Sequence, residues 1–355
     1  MNRRTKIILT LLLVAQMIGL RVLSYFPEFV EKYYSLGLFP FVSKIFRHLF
    51  GWIPFSVGDV FYSALIILAV RWLYFNIKRI KTKPVGFFLD ITATLSIAYI
   101  MFNLMWGFNY YRVPLHQTLG VERDYTTEEL ITLTENLIEK ANTLHRALGA
   151  KDSAMVINPY SHRETFELST NGYDNLSEKF PTFSYHPKSI KTSAWSLVLS
   201  YMGYSGYYNP FTAEAQVNDM IIGHRFAVVT CHEEAHQLGY AAENEANFLA
   251  YLAATHNDDL YFQYAGTIFA LRYCVNELAR RDMDLYKEMI DTVNFGILES
   301  YREVREFWQR YEGPMEFISK NFFDRFLKAN NQELGIKSYS YMVALLVNYH
   351  KEYPM

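Results

Sequence analysis

Polar side chains are scarce in three stretches of the first 110 residues: about Ile7 to Ser24, Val57 to Ile77 and Phe87 to Phe108. Each has close to the ~20 residues an α-helix needs to cross the hydrocarbon core of a bilayer. The pattern therefore predicts a membrane domain over residues 1–110 with transmembrane helices at about 7–24, 57–77 and 87–108. The first run follows Arg3, Arg4 and Lys6 like a signal peptide, but no small-x-small cleavage site comes after it, so it reads as an uncleaved anchor. The loop Lys78 to Lys83 is also strongly basic. Lys and Arg stay on the cytoplasmic side, which puts the N-terminus and this loop inside and everything after Tyr110 outside. Asp59, Arg71 and Asp90 fall near span ends, where headgroup-level or snorkelling positions are expected rather than a charge relay. The aromatic and basic stretch Phe41 to Trp52 either lies along the interface as an amphipathic helix or packs on the outer domain.

Beyond Tyr110 the periodicity changes and charges are interspersed, as in a globular domain of residues 111–355. The aromatics of Trp106 to Tyr111 read as interfacial anchors at the exit from the membrane. Thr126 to Glu129 forms a capping box, and Leu130, Leu133, Leu137, Ala141 and Leu144 continue at helical spacing to a stop near Gly149. Ala154 to Ile157 reads as a short strand followed by a polar loop. Ser193 to Met202 is strand or buried helix, which periodicity alone does not separate. Tyr207 to Asn218 is aromatic and holds Pro210, which suits an edge strand, and Asn218 or Asp219 would cap the next helix. Past Asn247 the pattern is helical: Phe248 to Ala254, Leu260 to Arg280, Tyr286 to Phe307, Pro314 to Lys328 and Tyr341 to Tyr349. The expected fold is mainly α with a small β-sheet (α+β), behind three transmembrane helices.

Composition narrows this further. The 355 residues are 51% hydrophobic and 17% aromatic with a net charge of −2. A lipid bilayer is thus an expected partner, and the charge offers nothing to nucleic acid. Two cysteines, Cys231 and Cys274, make no disulfide framework and read as small core residues.

The chemistry concentrates in Cys231-His232-Glu233-Glu234-Ala235-His236-Gln237-Leu238-Gly239. Residues four apart stack on one face of a helix, so His232 and His236 can offer two imidazole nitrogens to one ion. Two such nitrogens and a carboxylate suit Zn²⁺, although Fe²⁺, Mn²⁺ and Co²⁺ accept similar ligands. Glu233, one position on, lies beside the metal and is placed to take a proton from a metal-bound water. Gly239 reads as a helix-ending residue with positive φ, after which Glu243 or Glu245 can return as third ligand. As donors for an oxyanion, Tyr339, Tyr341, His256 and His350 are candidates, none preferred.

Three resemblances sharpen the picture. The motif with Glu243-Asn244-Glu245-Ala246-Asn247 resembles zinc peptidases with a glutamate ligand, whose downstream E-x-x-x-D implies Glu243 as ligand and Asn247 as the residue orienting a ligand histidine. The glycine three residues after His236 is similar to the metzincin turn, although Ala242 stands where those enzymes carry a third histidine. In such peptidases an edge strand before the metal helix binds substrate by β-addition, a role that falls on Tyr207 to Asn218. Taken with the three spans and the stretch Trp106 to Leu115, the chain resembles domain-of-unknown-function family 3810, bacterial membrane proteins with a zincin-like domain. The resemblance implies a zinc metallopeptidase of the bacterial inner membrane with a periplasmic site cutting a peptide or protein substrate. A non-catalytic metal-stabilised sensor or scaffold is the alternative. Proteolysis within the bilayer is disfavoured, because Asp219, His224, Arg225 and Glu234 would be expensive in lipid.

Overall fold

The computed structural model describes residues 1–332 and 339–355. The chain begins with α1 (Arg3–Leu23), passes through α2 (Pro27–Val30), a π-helical stretch (Glu31–Leu38) and α3 (Phe39–Phe50), and runs back along α4 (Val57–Asn76). A short α5 (Arg79–Thr82) leads to α6 (Pro84–Met105). Helices α1, α4 and α6 are long and apolar enough to cross a membrane, and most of their side chains stay exposed. Helices α1 and α6 are joined by polar contacts: Thr10 with Thr92 (2.7 Å) and Gln16 Nε2 donating to Ser96 Oγ (2.9 Å). At the basic end Asp90 pairs with Lys6 and with Arg79 (2.9 Å). It is therefore a structural ion-pair partner, not a loose headgroup-level charge.

Asp59 departs from expectation more sharply. It is 2% exposed, and its carboxylate accepts from Ser193 Oγ (3.0 Å), the Ala194 backbone N–H (2.7 Å) and the Tyr207 hydroxyl. A carboxylate buried without donors would be costly; here the outer domain supplies three. The first turn of α4, capped by Ser56 (2.8 Å to Asp59 N), also donates Val57 N–H (3.2 Å) and Gly58 N–H (2.5 Å) to Glu214, which Lys191 Nζ meets from the other side at 2.6 Å. Free N–H groups and the helix dipole favour an anion at this end. Helix α4 is thereby bolted to the three-stranded sheet of the globular part.

After α6 come a 3₁₀ turn (Gly107–Tyr111), α7 (Leu115–Leu119), α8 (Thr127–Ala147) and α9 (His162–Lys179). The Thr126 capping box forms as expected, and Gly149 adopts φ +77° just past the helix. Trp106, Tyr110 and Tyr111 do not anchor in an interface. They are buried with Phe39, Tyr208, Ala241 and Leu327 in a core shared by the N-terminal helices and the globular part. The stretch Phe41 to Trp52 packs one face on that domain: Phe39, Ser43 and Arg47 are buried, while Phe41, Ile45, Leu49 and Trp52 stay exposed.

Ala154 to Ile157 is irregular rather than a strand, because its backbone bonds locally and to a side chain: Ala154 N–H to Lys151 O (2.8 Å), and Ala154 O from His145 Nε2 (2.9 Å). Most of the expected polar loop after it is α9, opened by a Ser161 capping box. Its buried face, Thr165, Ser169, Gly172, Tyr173 and Leu176, is small and polar rather than greasy. A Cβ at Gly172 would sit 1.9 Å from the Ala253 carbonyl oxygen, so glycine is what lets two helices come together there.

The sheet holds β1 (Ile190–Thr192), then α10 (Ser196–Met202), β2 (Gly206–Asn209) and β3 (Glu214–Val217). Strand order is β1-β3-β2, with β1 parallel and β2 antiparallel to β3. Ser193 to Met202 is thus mostly helix, and Leu197, Val198 and Tyr201 are exposed rather than buried. The expected edge strand is a hairpin turning near Pro210. Its second half, β3, is central, so within the hairpin only β2 lies at a sheet edge, β1 forming the other edge. Helix α11 (Arg225–Gln237) starts at a His224 cap. Asn218 does not cap it but ties the preceding loop, donating to Ser200 Oγ (2.9 Å) and Tyr204 O (3.1 Å).

Then follow α12 (Glu243–Thr255), α13 (Leu260–Arg281), α14 (Met283–Ile290), α15 (Phe295–Gln309), α16 (Pro314–Ala329) and α17 (Tyr339–Glu352). The run expected from Tyr286 to Phe307 is broken between α14 and α15, where Asn142 and Asn294 hydrogen-bond across (2.8 Å). Leu130, Leu137, Phe248, Leu249, Phe262 and Leu346 pack the main core without exposed surface, each contributing about 1.5–3 kcal/mol of burial. Cys231 and Cys274 are free and buried in it.

Candidate metal centre

Helix α11 carries His232 and His236 one turn apart, their rings 4.7 Å between centroids and nearly perpendicular. Gly239, at φ +88°, turns the chain as expected, with Phe39 Cε1 2.9 Å from where a Cβ would stand. Helix α12 then begins at Glu243. Its Oε2 lies 3.4 Å from His232 Nε2 and its Oε1 3.7 Å from His236 Nε2. One ligand atom from each of the three falls within 4.8 Å of the others. Two ligands held about 2.1 Å from a tetrahedral Zn²⁺ are about 3.4 Å apart. The donor set and its spacing fit such an ion.

The tautomer of His236 is set. Its Nδ1–H donates to the Tyr240 carbonyl oxygen (2.7 Å), leaving Nε2 free toward Glu243. Burial, with His232 beside it, pushes its pKa down to about 4. It is therefore neutral at pH 7, the form that binds metals. Burial opposes ionisation of Glu243, but the His232 hydrogen bond and the neighbouring imidazoles hold its carboxyl below the usual range. Glu243 is also the open side of the site, its side chain 30% exposed against 7% for His236.

Glu233 is buried beside these three. A Cβ at Gly206 would stand 2.5 Å from its Oε1, so the absence of a side chain on β2 makes room for this carboxylate. No donor among the described residues reaches its Oε2. Burial, then the Glu243 charge, push its pKa well above the ordinary value. Glu234 points the other way: it accepts from Ser169 Oγ (2.7 Å) and is pushed up to about 8 by burial.

Glu245, the alternative ligand, is committed elsewhere. Its Oε1 accepts the Leu115 backbone N–H (2.7 Å), and it is only 7% exposed. Asn247 does not orient a histidine: His236 Nδ1 is taken by Tyr240, and His232 Nδ1 has no partner among the described residues. What holds His236 was missed at the sequence level. Trp106 Nε1 donates to its carbonyl oxygen (3.2 Å), with the indole edge-on to its ring at 5.8 Å. Arg112 grips the following turn, donating to Gly239 O (3.1 Å), forking onto Glu31 (2.6 and 2.9 Å) and stacking on Tyr240 at 4.0 Å. An aromatic pair and an arginine straight after an apolar span were the available signal, read instead as lipid anchors.

The suggested oxyanion donors lie elsewhere. His256 Nδ1 bonds Leu252 O (2.8 Å), His350 pairs with Tyr251 (2.6 Å), and Tyr341 stacks on Arg123. The Tyr339 side chain is outside the described residues. Tyr110 and Tyr204, which the sequence reading did not single out, are close enough to Glu243 to be perturbed by its charge.

A family model described as protein of unknown function (DUF3810) matches residues 34–347. The chain belongs to this family. The match runs from the π-helical stretch to α17, taking in α4, α6, the sheet and the His232–His236–Glu243 cluster. No curated protein and no solved structure matches the chain.

Proposed function

We propose that this chain is a membrane-anchored zinc metallopeptidase whose site faces the periplasm from the bacterial inner membrane. The observation that carries the reading is the convergence of His232, His236 and Glu243 beside buried Glu233, whose Oε2 no donor among the described residues reaches. Three protein ligands leave a coordination position for water or substrate, whereas a structural site closes with four. The ion, when bound, supplies Lewis acidity to the attacking water and the scissile carbonyl. Glu233 takes the proton of that water and passes it to the leaving nitrogen. The orientation is inferred from the basic start of α1 and the basic α5 that follows α4, whose Lys6 and Arg79 meet at Asp90 and belong in the cytoplasm, with the site at the opposite ends of the spans.

Full-length protein in nanodiscs tests this. Elemental analysis is expected to find about one zinc per chain in the wild type and in Glu233→Gln, and none in His236→Ala. Glu233→Gln is expected to lose 10²–10⁴-fold in peptide cleavage, the ordinary worth of a general base. Metal-free wild type, or full turnover in Glu233→Gln, overturns the proposal. Metal without turnover in the wild type leaves the sensor reading.

A further inference from the structure

The outer domain is joined to the spans through two helices that expose large apolar side chains. Helix α10 meets α4 below its outer end: Trp195 Nε1 donates to Ser63 Oγ (3.2 Å). Ser63 is six residues into a helix that starts at Val57, or about 9 Å along its axis at 1.5 Å per residue. Helix α16 meets α6 at its outer end, with the Phe326 ring 6.0 Å from Phe102 and 5.9 Å from Tyr110. The two helices also pair with each other. A Cβ on Gly203, at the end of α10, would touch Lys320 and Glu316, and the Tyr204 hydroxyl donates to Ser319 O (3.2 Å). Outward from this pair stand Leu197, Val198, Phe317, Ile318 and Phe322, the last three 67–71% exposed.

Such an apolar face needs an occupant. Its continuity with two apolar spans, one of which it meets below the outer end, identifies lipid. The inward side of the same α16 walls the metal centre: Phe323 packs edge-on against Tyr204 (5.5 Å) and Phe326 against Tyr110. Tyr110 packs in turn on Trp106 (5.1 Å), the residue directly after α6, and Trp106 touches His236. One helix thus separates lipid from the site.

We infer that α10 and α16 are immersed in the adjoining bilayer leaflet as a lipid-facing rim of the metal centre, and that the substrate is a polypeptide held in the same membrane by a span or lipid anchor and cut close to the surface. The rim stands on the contacts alone; the substrate class rests on the peptidase reading above. A site raised clear of the membrane reaches distant segments only, whereas a site at the headgroup level reaches bonds next to the anchor.

Two measurements on full-length protein in nanodiscs test the two parts. Bimane is attached to Ile318→Cys and, separately, Phe322→Cys; native Cys231 and Cys274 are fully buried and escape labelling. Quenching by lipids with nitroxide high on the acyl chain, together with protection from aqueous iodide, is expected at both positions. The reverse pattern overturns the rim whether or not the protein is a peptidase. A degenerate fluorogenic peptide library is then offered free in solution, on a palmitoyl anchor through three residues (a reach of about 10 Å), or on the anchor through thirty. The three-residue tether is expected to be cut with kcat/KM at least tenfold above the soluble library. Cleavage only on the long tether, or no preference over the soluble library, overturns the substrate class and leaves the peptidase standing. No cleavage in any form by metal-loaded protein overturns both.

Discussion

Gly206→Ala tests whether the sheet and the metal helix are fitted to each other through Glu233. The new Cβ would stand 2.5 Å from Glu233 Oε1 and 2.6 Å from the Gln216 carbonyl oxygen. Contacts below about 3.0 Å are essentially never seen, so one of the two must retreat by roughly 0.5 Å. Gln216 belongs to central β3, paired on both sides and fully buried, so the glutamate side chain gives way. A misplacement of 1 Å costs about 10²-fold in rate, and half of that predicts a fall in kcat of about tenfold. Overpacking adds about 1–3 kcal/mol of destabilisation, a loss of a few degrees in Tm. Metal content should not change, because none of the three ligands touches Gly206. The assay is kcat on the most rapidly cut peptide, with zinc analysis and thermal unfolding in parallel. Gly313→Ala is the control, since its Cβ would meet no atom within 4 Å and its φ of 173° is open to any residue. Wild-type kcat and Tm in Gly206→Ala would refute the close fit and, with it, the placement of Glu233.

Adjacent glutamates should respond oppositely: Glu234→Gln keeps metal, activity and Tm, because a carboxyl pushed up to about 8 is already protonated at neutral pH, and a large loss in Tm would contradict this. Arg112→Ala strands Glu31 and the Gly239 carbonyl, so unfolding should cost about 3–5 kcal/mol less, with zinc affinity down about 10–100-fold through the His236–Tyr240 turn, read by chelator competition. Stability should also depend on His350, whose Nδ1–H donates to Tyr353 O (2.9 Å) while Nε2 accepts from Tyr251 (2.6 Å). Burial pushes its pKa down to about 4, below the unfolded value near 6.5. The unfolded chain thus takes up the proton first, and the contribution, complete above pH 6.5, is lost as pH falls toward 4, by about 2 kcal/mol allowing for partial exposure. His350→Gln should flatten that part of the Tm–pH curve; an unchanged slope would refute the assignment.

The apolar helices and the meeting of His232, His236 and Glu243 were legible because each has a rigid period behind it. Length and apolarity delimit α1, α4 and α6, and the one-turn spacing of His232 and His236 with a glycine stop leaves Glu243 to return. Asymmetry of the acids was not legible. Nothing in the letters says that Glu245 is spent on Leu115 N–H. Helix α9 escaped because its packing face is Thr165, Ser169 and Gly172, whose burial depends on close backbone approach rather than on greasy side chains. Trp106 and Tyr110 were misread for a related reason: an aromatic next to a span looks the same whether lipid or protein covers it. Asp59 likewise resembles a stray charge at a span end until the donors of Ser193, Ala194 and Tyr207 are placed around it.

The junction at the first turn of α4 has a consequence for how this protein exists in a cell. A fragment cut free of the spans would not keep this packing, since Glu214 would lose the Val57 and Gly58 N–H groups, Lys191 the Phe50 carbonyl oxygen and Tyr207 the Asp59 carboxylate. The apolar helices and the globular part are thus one folding unit, and a fragment released from the membrane would not carry the His232–His236–Glu243 cluster in the same setting.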